Sequence, residues 1–250
     1  VTGIIGAKPP HLLPSDERDK LVKKEEMYID IGASSKEDAE AAGVRMGDPV
    51  VPQSAFEELA IRGRYLSKAF DDRVGVALVI QSLQALQDRS HPNTVFGAIT
   101  TMEEVGLRGA TTSADTVNPD VAIVLESDIA GDVPGIKPEQ SAVKLGKGPT
   151  VLLMDGRMIP NLALRDLVMD TAEEMGIPLQ TSALATGTTD GAAIHLHKQG
   201  VPTVVIGVPA RHIHSHGAII DRQDYDNTLA LLIGVVRKLD GTTVQRLVPS

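Results

Sequence analysis

The sequence predicts an α/β fold, a mostly parallel sheet with helices on both faces, accompanied by a smaller β-rich unit with one helix. Three observations carry this. From Tyr65 onward, short apolar runs of strand length alternate with longer helical segments, the pattern of a sheet covered on both faces. Residues 1 to about 65 contain no 3.6-residue apolar period of any length. Several apolar runs end in acids or histidines, as expected where an α/β sheet places its ligand site at the carboxyl ends of its strands. The predicted division is residues 1–64 and residues 65–250.

In the first part, Val1–Ile5 reads as a strand ended by Lys8-Pro9-Pro10. Asp16–Glu26 is charged and reads as loop or exposed helix. Met27–Ile31 alternates like a half-buried strand. Ser35 with Asp38 resembles a capping box ahead of a short helix stopped by Gly43. Val44–Val51, around a Gly47-Asp48-Pro49 turn, reads as further β structure. In the second part, Tyr65–Phe70 is a short strand leading into Asp71-Asp72 and a helix to about Asp88, with Val74, Ala77, Leu78, Leu83 and Leu86 as its apolar positions. A strand at Thr94–Thr101, a helix near Thr111 and a strand at Val121–Leu125 follow. Val143–Leu145 and Val151–Met154 suggest a hairpin around Gly146-Lys147-Gly148. Asn161–Met175 is the clearest helix, with Asn161 as N-cap, Gly176 as stop and Pro178 beyond. Gly191–Lys198 reads as helix, Thr203–Val208 as strand and Gln223–Leu239 as the last helix. No repeat or low-complexity tract interrupts the chain.

Composition narrows the function. The formal net charge is −9 with Lys and Arg scattered, which argues against a nucleic-acid partner. The absence of Cys rules out disulfides, suits the cytoplasm, and leaves His, Asp and Glu as ligands for any metal. No stretch is long and apolar enough to span a bilayer, so no membrane partner is expected. The start, VTGIIGAKPP, lacks the basic and apolar regions of a signal peptide. It opens inside a strand-like run and is read as beginning within a domain.

The candidate chemistry centres on Thr94–Gly109, TVFGAITTMEEVGLRG, which ends in Glu103 and Glu104. Adjacent side chains on extended backbone point opposite ways, so one acid is free to bind a metal while the other handles a proton. Three other segments share the design. Asp71 and Asp72 follow one strand, Glu126 with Asp128 follows another, and His212, His214 and His216 follow a third. Carboxylates plus imidazole, without thiolate, fit Zn²⁺, Co²⁺ or Mn²⁺. Two metals bridged by one carboxylate sit roughly 3.5–4 Å apart in hydrolases of this type. Each piece also has a plain structural reading. Asp71-Asp72 suits a helix cap, and Asp128 suits a solvated loop. At most one or two of the alternating histidines can enter a common site. Gly187–Gly191, GTTDG, is a turn before a helix. His11, His91, His195 and His197 read as ordinary loop or helix histidines.

The joint pattern is more specific than its parts. AFDDRVG (69–75), EEVGLRGA (103–110), AGDVPG (130–135), GTTDGAAIHL (187–196) and IHS (213–215) stand in the order and spacing of one family. With the IGAKPPHLL and YIDIGA segments, the chain resembles the tetrahedral (TET) or glutamyl aminopeptidases, dinuclear metallopeptidases also labelled endoglucanase M. The resemblance implies a zinc-peptidase-like catalytic domain over 65–250 and a partial dimerisation or lid domain over 1–64. It implies two divalent metal ions, zinc or cobalt. Asp71 would bridge them, with Asp72 supporting it. Glu104 and His214 would ligate one metal and Glu126 the other, at a position where many relatives carry Asp. Glu103 would be the general base, and Asp190 a supporting group at the substrate end. Metals would activate water and polarise the peptide carbonyl, and a metal holding the α-amine would restrict cleavage to the N-terminal residue. Peptide substrates and a dimer-based homo-oligomer, up to a dodecamer, are implied.

The sequence departs from the family at one point. Relatives carry a His-x-Asp motif in an N-terminal segment that supplies a ligand to the second metal. Nothing before residue 71 offers it, since His11 sits in PPHLLP of the inserted domain. The expectation is therefore one metal, or weak occupancy, and little activity for these 250 residues. Two competing readings are an endoglucanase-like glycoside hydrolase, whose paired acids would serve as acid and base, and an inactive truncated assembly subunit. The first is disfavoured by three Phe, three Tyr and no Trp, because sugar sites usually offer aromatic platforms.

Overall fold

A computed structural model describes residues 1–18 and 20–248. The chain forms two compact units, Val1–Val51 and Pro52–Ser250.

In the smaller unit, β1 (Ile4–Gly6) pairs antiparallel with β2 (Tyr28–Asp30). All three residues of β2 are exposed, so its alternation does not mark a buried face. The helix α1 (Lys36–Ala41) starts where its capping residue predicts, with Ser35 Oγ accepting from the Asp38 amide at 3.1 Å. Val44–Val51 is not β structure. Asp48 accepts from the Arg45 amide at 2.7 Å and folds the segment into a turn.

The larger unit begins with β3 (Glu57–Glu58) and β4 (Arg64–Ser67), which pair antiparallel. Phe56 stacks on Tyr65 at 5.3 Å and meets Phe70 edge-on at 6.3 Å. Residues 52–64 are thus tied to the large sheet, and the compact unit starts earlier than the residue-65 boundary read from composition. There follow α2 (Phe70–Leu86), α3 (Arg108–Val117), β5 (Ala122–Ile129), β6 (Thr150–Met154), α4 (Leu162–Glu174), β7 (Gln180–Ala183), α5 (Gly191–Ile194), β8 (Thr203–Arg211), β9 (Ala218–Asp221), α6 (Arg222–Lys238) and α7 (Gly241–Leu247). The seven strands run β3-β4-β9-β8-β6-β7, with β5 also paired to β8. The sheet is mixed. β5–β8 and β6–β7 are parallel, while β3–β4, β4–β9, β8–β9 and β6–β8 are antiparallel.

Strand β8 is the spine, buried from Thr203 to Ala210. Val204 and Ile206 pack with Leu164 and Val168 of α4 and Leu231 and Val235 of α6. Val208 and Ala210 pack with Phe70, Val74 and Leu78 of α2. Val205, on the opposite face, packs with Ala192 of α5, Leu107 and Met158. Period-2 alternation thus places helices on both faces. Burying each such Leu or Ile contributes roughly 1.5–3 kcal/mol.

Several local expectations fail for identifiable reasons. Thr94–Thr101 is not a strand: no strand pairs with it among the described residues, and Phe96 and Ile99 are exposed. The hairpin around Gly146-Lys147-Gly148 does not form. Instead the amides of Gly146 and Gly148 donate to the Asp224 carboxylate at 2.6 and 2.7 Å, fastening the loop to α6. Asp128 is not a solvated loop acid. It is buried within β5 and accepts from Thr150 Oγ1 at 2.6 Å. Gly207 makes room for that pair, since a Cβ there would strike Thr150 Oγ1 and Asp128.

Asp224 gives a stability prediction. Burial pushes its carboxyl up to about 6, against the two glycine amides that favour the charged form. The folded state therefore holds a proton that the unfolded chain releases near pH 4, so stability falls as pH rises from about 4 to about 6. The difference between the two states is worth about 3 kcal/mol. Asp224→Asn should remove this part of the pH dependence, as read by urea unfolding of both proteins between pH 4 and 7.

Candidate metal centre

Two turns and one helix start bring the central residues together. Helix α2 is entered through Ala69 in the left-handed region, and Asp71 and Asp72 depart from helical geometry inside its first turn. Asp72 Oδ1 accepts from the Gly75 amide at 3.0 Å and so starts the regular helix. A Cβ at Gly75 would collide with that carboxylate. The capping reading thus holds for Asp72, which leaves the Asp71 carboxylate free to face His214. Glu103 and Glu104 lie in a turn after Met102, itself at φ +62°, rather than at the end of a paired strand. His214 lies in the turn between β8 and β9, with His212 and His214 both at positive φ.

His214 Nε2 is 2.9 Å from Asp71 Oδ2 and 3.6 Å from Glu104 Oε1. Asp71, Glu104 and His214 each present a ligand atom within 4.8 Å of the others. Among the described residues this is the one such group, and His212 and His216 are outside it. Two carboxylates and an imidazole are a donor set suited to a divalent cation.

Beside this group lies a cleft of about 470 Å³, lined by Asp71, Asp72, Glu103, Glu126 and Asp190. Glu126 sits inside β5 rather than after it. Burial, then the neighbouring Asp72 and Glu103, hold its carboxyl well above the ordinary range. Burial pushes Asp72 up to about 8, opposed by the Gly75 amide. Burial together with Asp190, Glu104 and Asp71 pushes Glu103 up to about 7. Asp72, Glu103, Glu126 and Asp190, desolvated together, disfavour their own charged forms, and a divalent cation bound beside them would supply counter-charge.

Asp190 is 7% exposed. It does not cap α5. Its Oδ2 accepts from Thr100 Oγ1 at 2.5 Å, while its buried Oδ1 has no hydrogen-bond partner. The loop that carries it is held by Asp155, which accepts from the Thr189 amide at 3.3 Å and from the Arg157 and Met158 amides at 2.7 Å each. Sequence reasoning named neither Thr100 nor Asp155. Thr100 was hidden in an apparent strand, and Asp155 follows β6 with no partner acid beside it.

An α/β unit with a carboxylate–imidazole group beside an acid-lined cleft offers the donor set of a metal-dependent hydrolase. The chain belongs to the M42 glutamyl aminopeptidase family, whose description matches residues 1–231, and members of that family are metal-dependent peptide hydrolases. The TET aminopeptidase of the marine sediment archaeon Thaumarchaeota archaeon SCGC AB-539-E09 is 48% identical with a TM-score of 0.95, covering 98% of this chain and 69% of that one. FrvX of Escherichia coli (strain K12) is 37% identical over 244 residues, 98% of this chain and 68% of its own length. The structure described as PhTET1-12s, a dodecamer, is 30% identical with a TM-score of 0.80, covering 95% of this chain and 68% of that one. The family match decides for a peptidase over the glycoside-hydrolase reading.

Proposed function

We propose that the chain removes N-terminal residues from peptides at this cleft, with Asp71, Glu104 and His214 holding a divalent cation, zinc or cobalt. The observation that carries this is the convergence of those three ligand atoms within 4.8 Å, beside a cleft that also contains Glu103. A bound cation would supply Lewis acidity for the scissile carbonyl and lower the pKa of water. Glu103 takes the proton of the attacking water and returns it to the leaving amine. Glu103 lines the cleft beside the ligand group, where a carboxylate can act as base and then as acid. Glu126 and Asp71 are the acids for a second cation. Asp72 supports Asp71 by fixing the helix start. Asp190, on the cleft wall and fixed by Thr100, is the supporting group at the substrate end.

The dodecameric relative and the exposed apolar residues of the smaller unit, Ile4, Ile5, Met46, Val50 and Val51 among them, support a homo-oligomer, with Val1–Val51 as the compact core of the dimerisation or lid part that the sequence reading assigns to residues 1–64. A chain without cysteine suits the cytoplasm.

Glu126 is not among the three converging residues. The 250-residue chain should therefore take up one cation per chain, with any second bound weakly. Equilibrium dialysis against zinc or cobalt, with release from aminoacyl reporters, tests this. Turnover should vanish with a chelator and return with the cation. Two tightly held cations per chain would refute the stoichiometry. Chelator-resistant turnover, or hydrolysis of cellulose instead of the reporters, would refute the reading.

A further inference from the structure

The segment Ala130–Gly135, AGDVPG, has no part in the cleft as described so far, yet it is bonded to the turn that carries His214. Asp132 and Arg211 form a two-pronged pair: Arg211 Nε donates to Asp132 Oδ1 at 3.0 Å and Nη2 donates to Oδ2 at 2.6 Å. Such fork-to-fork geometry fixes orientation as well as distance. The Leu145 amide adds a donor to the same carboxylate at 3.3 Å. The Arg211 guanidinium holds the Asp132 carboxyl below its ordinary range, and the carboxylate raises Arg211 in turn. The pair is partly shielded, with side-chain exposures of 33% and 19%.

Its place in the fold gives it a use. Arg211 is the last residue of β8, and the turn of residues 212–217 begins directly after it. Backbone pairing between β8 and β9 stops at Arg211–Ile219. Beyond that point the turn contains two non-glycine residues, His212 at φ +61° and His214 at φ +59°, conformations that carry a conformational penalty. Neither histidine is buried. Packing therefore does little to hold His214 where it is. Asp132, for its part, lies three residues beyond β5, the strand that carries Glu126. The Ala130 amide donates to the Ala210 carbonyl at 3.0 Å, which brings the two chain segments side by side.

We infer that the Asp132–Arg211 pair is a positioning device for the metal centre: it clamps the base of the β8–β9 turn to the segment after β5, and thereby sets His214 against Asp71 and Glu104. This rests on the reading of those three residues as a cation site. Neither Asp132 nor Arg211 is a ligand. Outer partners that orient a metal ligand typically change affinity by about 10–100-fold when removed.

The test is calorimetric titration of zinc and of manganese into the full chain, with thermal unfolding recorded for each variant without metal. Arg211→Met keeps the length of the stem and removes the fork. It should weaken cation binding about tenfold, and Arg211→Lys, which retains charge but not the fork, should recover part of the loss. Asp132→Asn should weaken binding similarly, and the double variant should bind no worse than either single one, because both remove the same clamp. The cobalt-substituted protein should show an altered visible absorption spectrum in Arg211→Met. His214→Ala is the control. If it binds cations like the unmodified chain, the site itself is wrong. If it loses binding while Arg211→Met binds normally, or if Arg211→Met and Asp132→Asn lower only the melting temperature, the site stands and the positioning role is overturned.

Discussion

Replacing Glu103 by Gln should lower kcat by about a thousandfold while leaving cation content unchanged, since a positioned general base contributes roughly 10²–10⁴-fold. The substitution keeps the shape of the side chain and removes its capacity to take a proton. Glu103 stands outside the three-residue group of converging ligand atoms, so its loss should be felt in turnover and not in binding. Steady-state kinetics on an aminoacyl reporter, with the metal counted on the same sample, separates the two. A fall in metal content equal to the fall in rate would move Glu103 from the base to the ligand set. An unchanged rate would remove it from the reaction altogether.

Asp71→Asn should have the larger effect on the metal itself. Asp71 is the half-buried acid of the cluster, 2.9 Å from His214 and on the wall of the cleft shared with Glu103 and Glu126. A neutral amide at that position removes a charge from the first cation and from any second one. Cation affinity should fall at least a hundredfold, and reporter turnover should fall below detection. The fold should survive, because the helix start is held by Asp72 and the Gly75 amide rather than by Asp71. Near-native thermal unfolding of the metal-free variant checks that clause.

Sequence patterning revealed the elements that local chemistry determines. Asn161 accepts from the Leu164 amide at 2.9 Å as an N-cap should, and Ser35 does the same for α1. Strand β8 is legible because an unbroken apolar run with Val and Ile is what burial on both faces demands. What was not legible depends on distant partners. Thr94–Val95-Phe96 has strand composition, but a strand needs a neighbour, and none pairs with it among the described residues. Strands β7 and β9 are four residues each and exist because β6 and β8 lie alongside. The mixture of parallel and antiparallel pairs follows from such neighbours as well, and no periodicity encodes it.

For the site, the acids were visible as residue types after apolar runs, and the motif resemblance put them together. Geometry could not be read in the same way. Adjacent Asp71 and Asp72 divide their roles because one caps the helix. One histidine of three joins the cluster because the turn after β8 is coiled through positive φ rather than extended. Arg211 and Asp132 are 79 residues apart, and only the alignment of β5 with β8 brings them into contact.

The most direct test of the central claim is the metal content of the 250-residue chain, measured by inductively coupled plasma mass spectrometry after zinc loading and desalting, beside Asp71→Asn. The account predicts close to one zinc per chain in the unmodified protein and less than about a tenth of that in the variant, on the at-least-hundredfold loss of affinity expected when a charged ligand is removed. Equal metal in both proteins, or none in either, would contradict it.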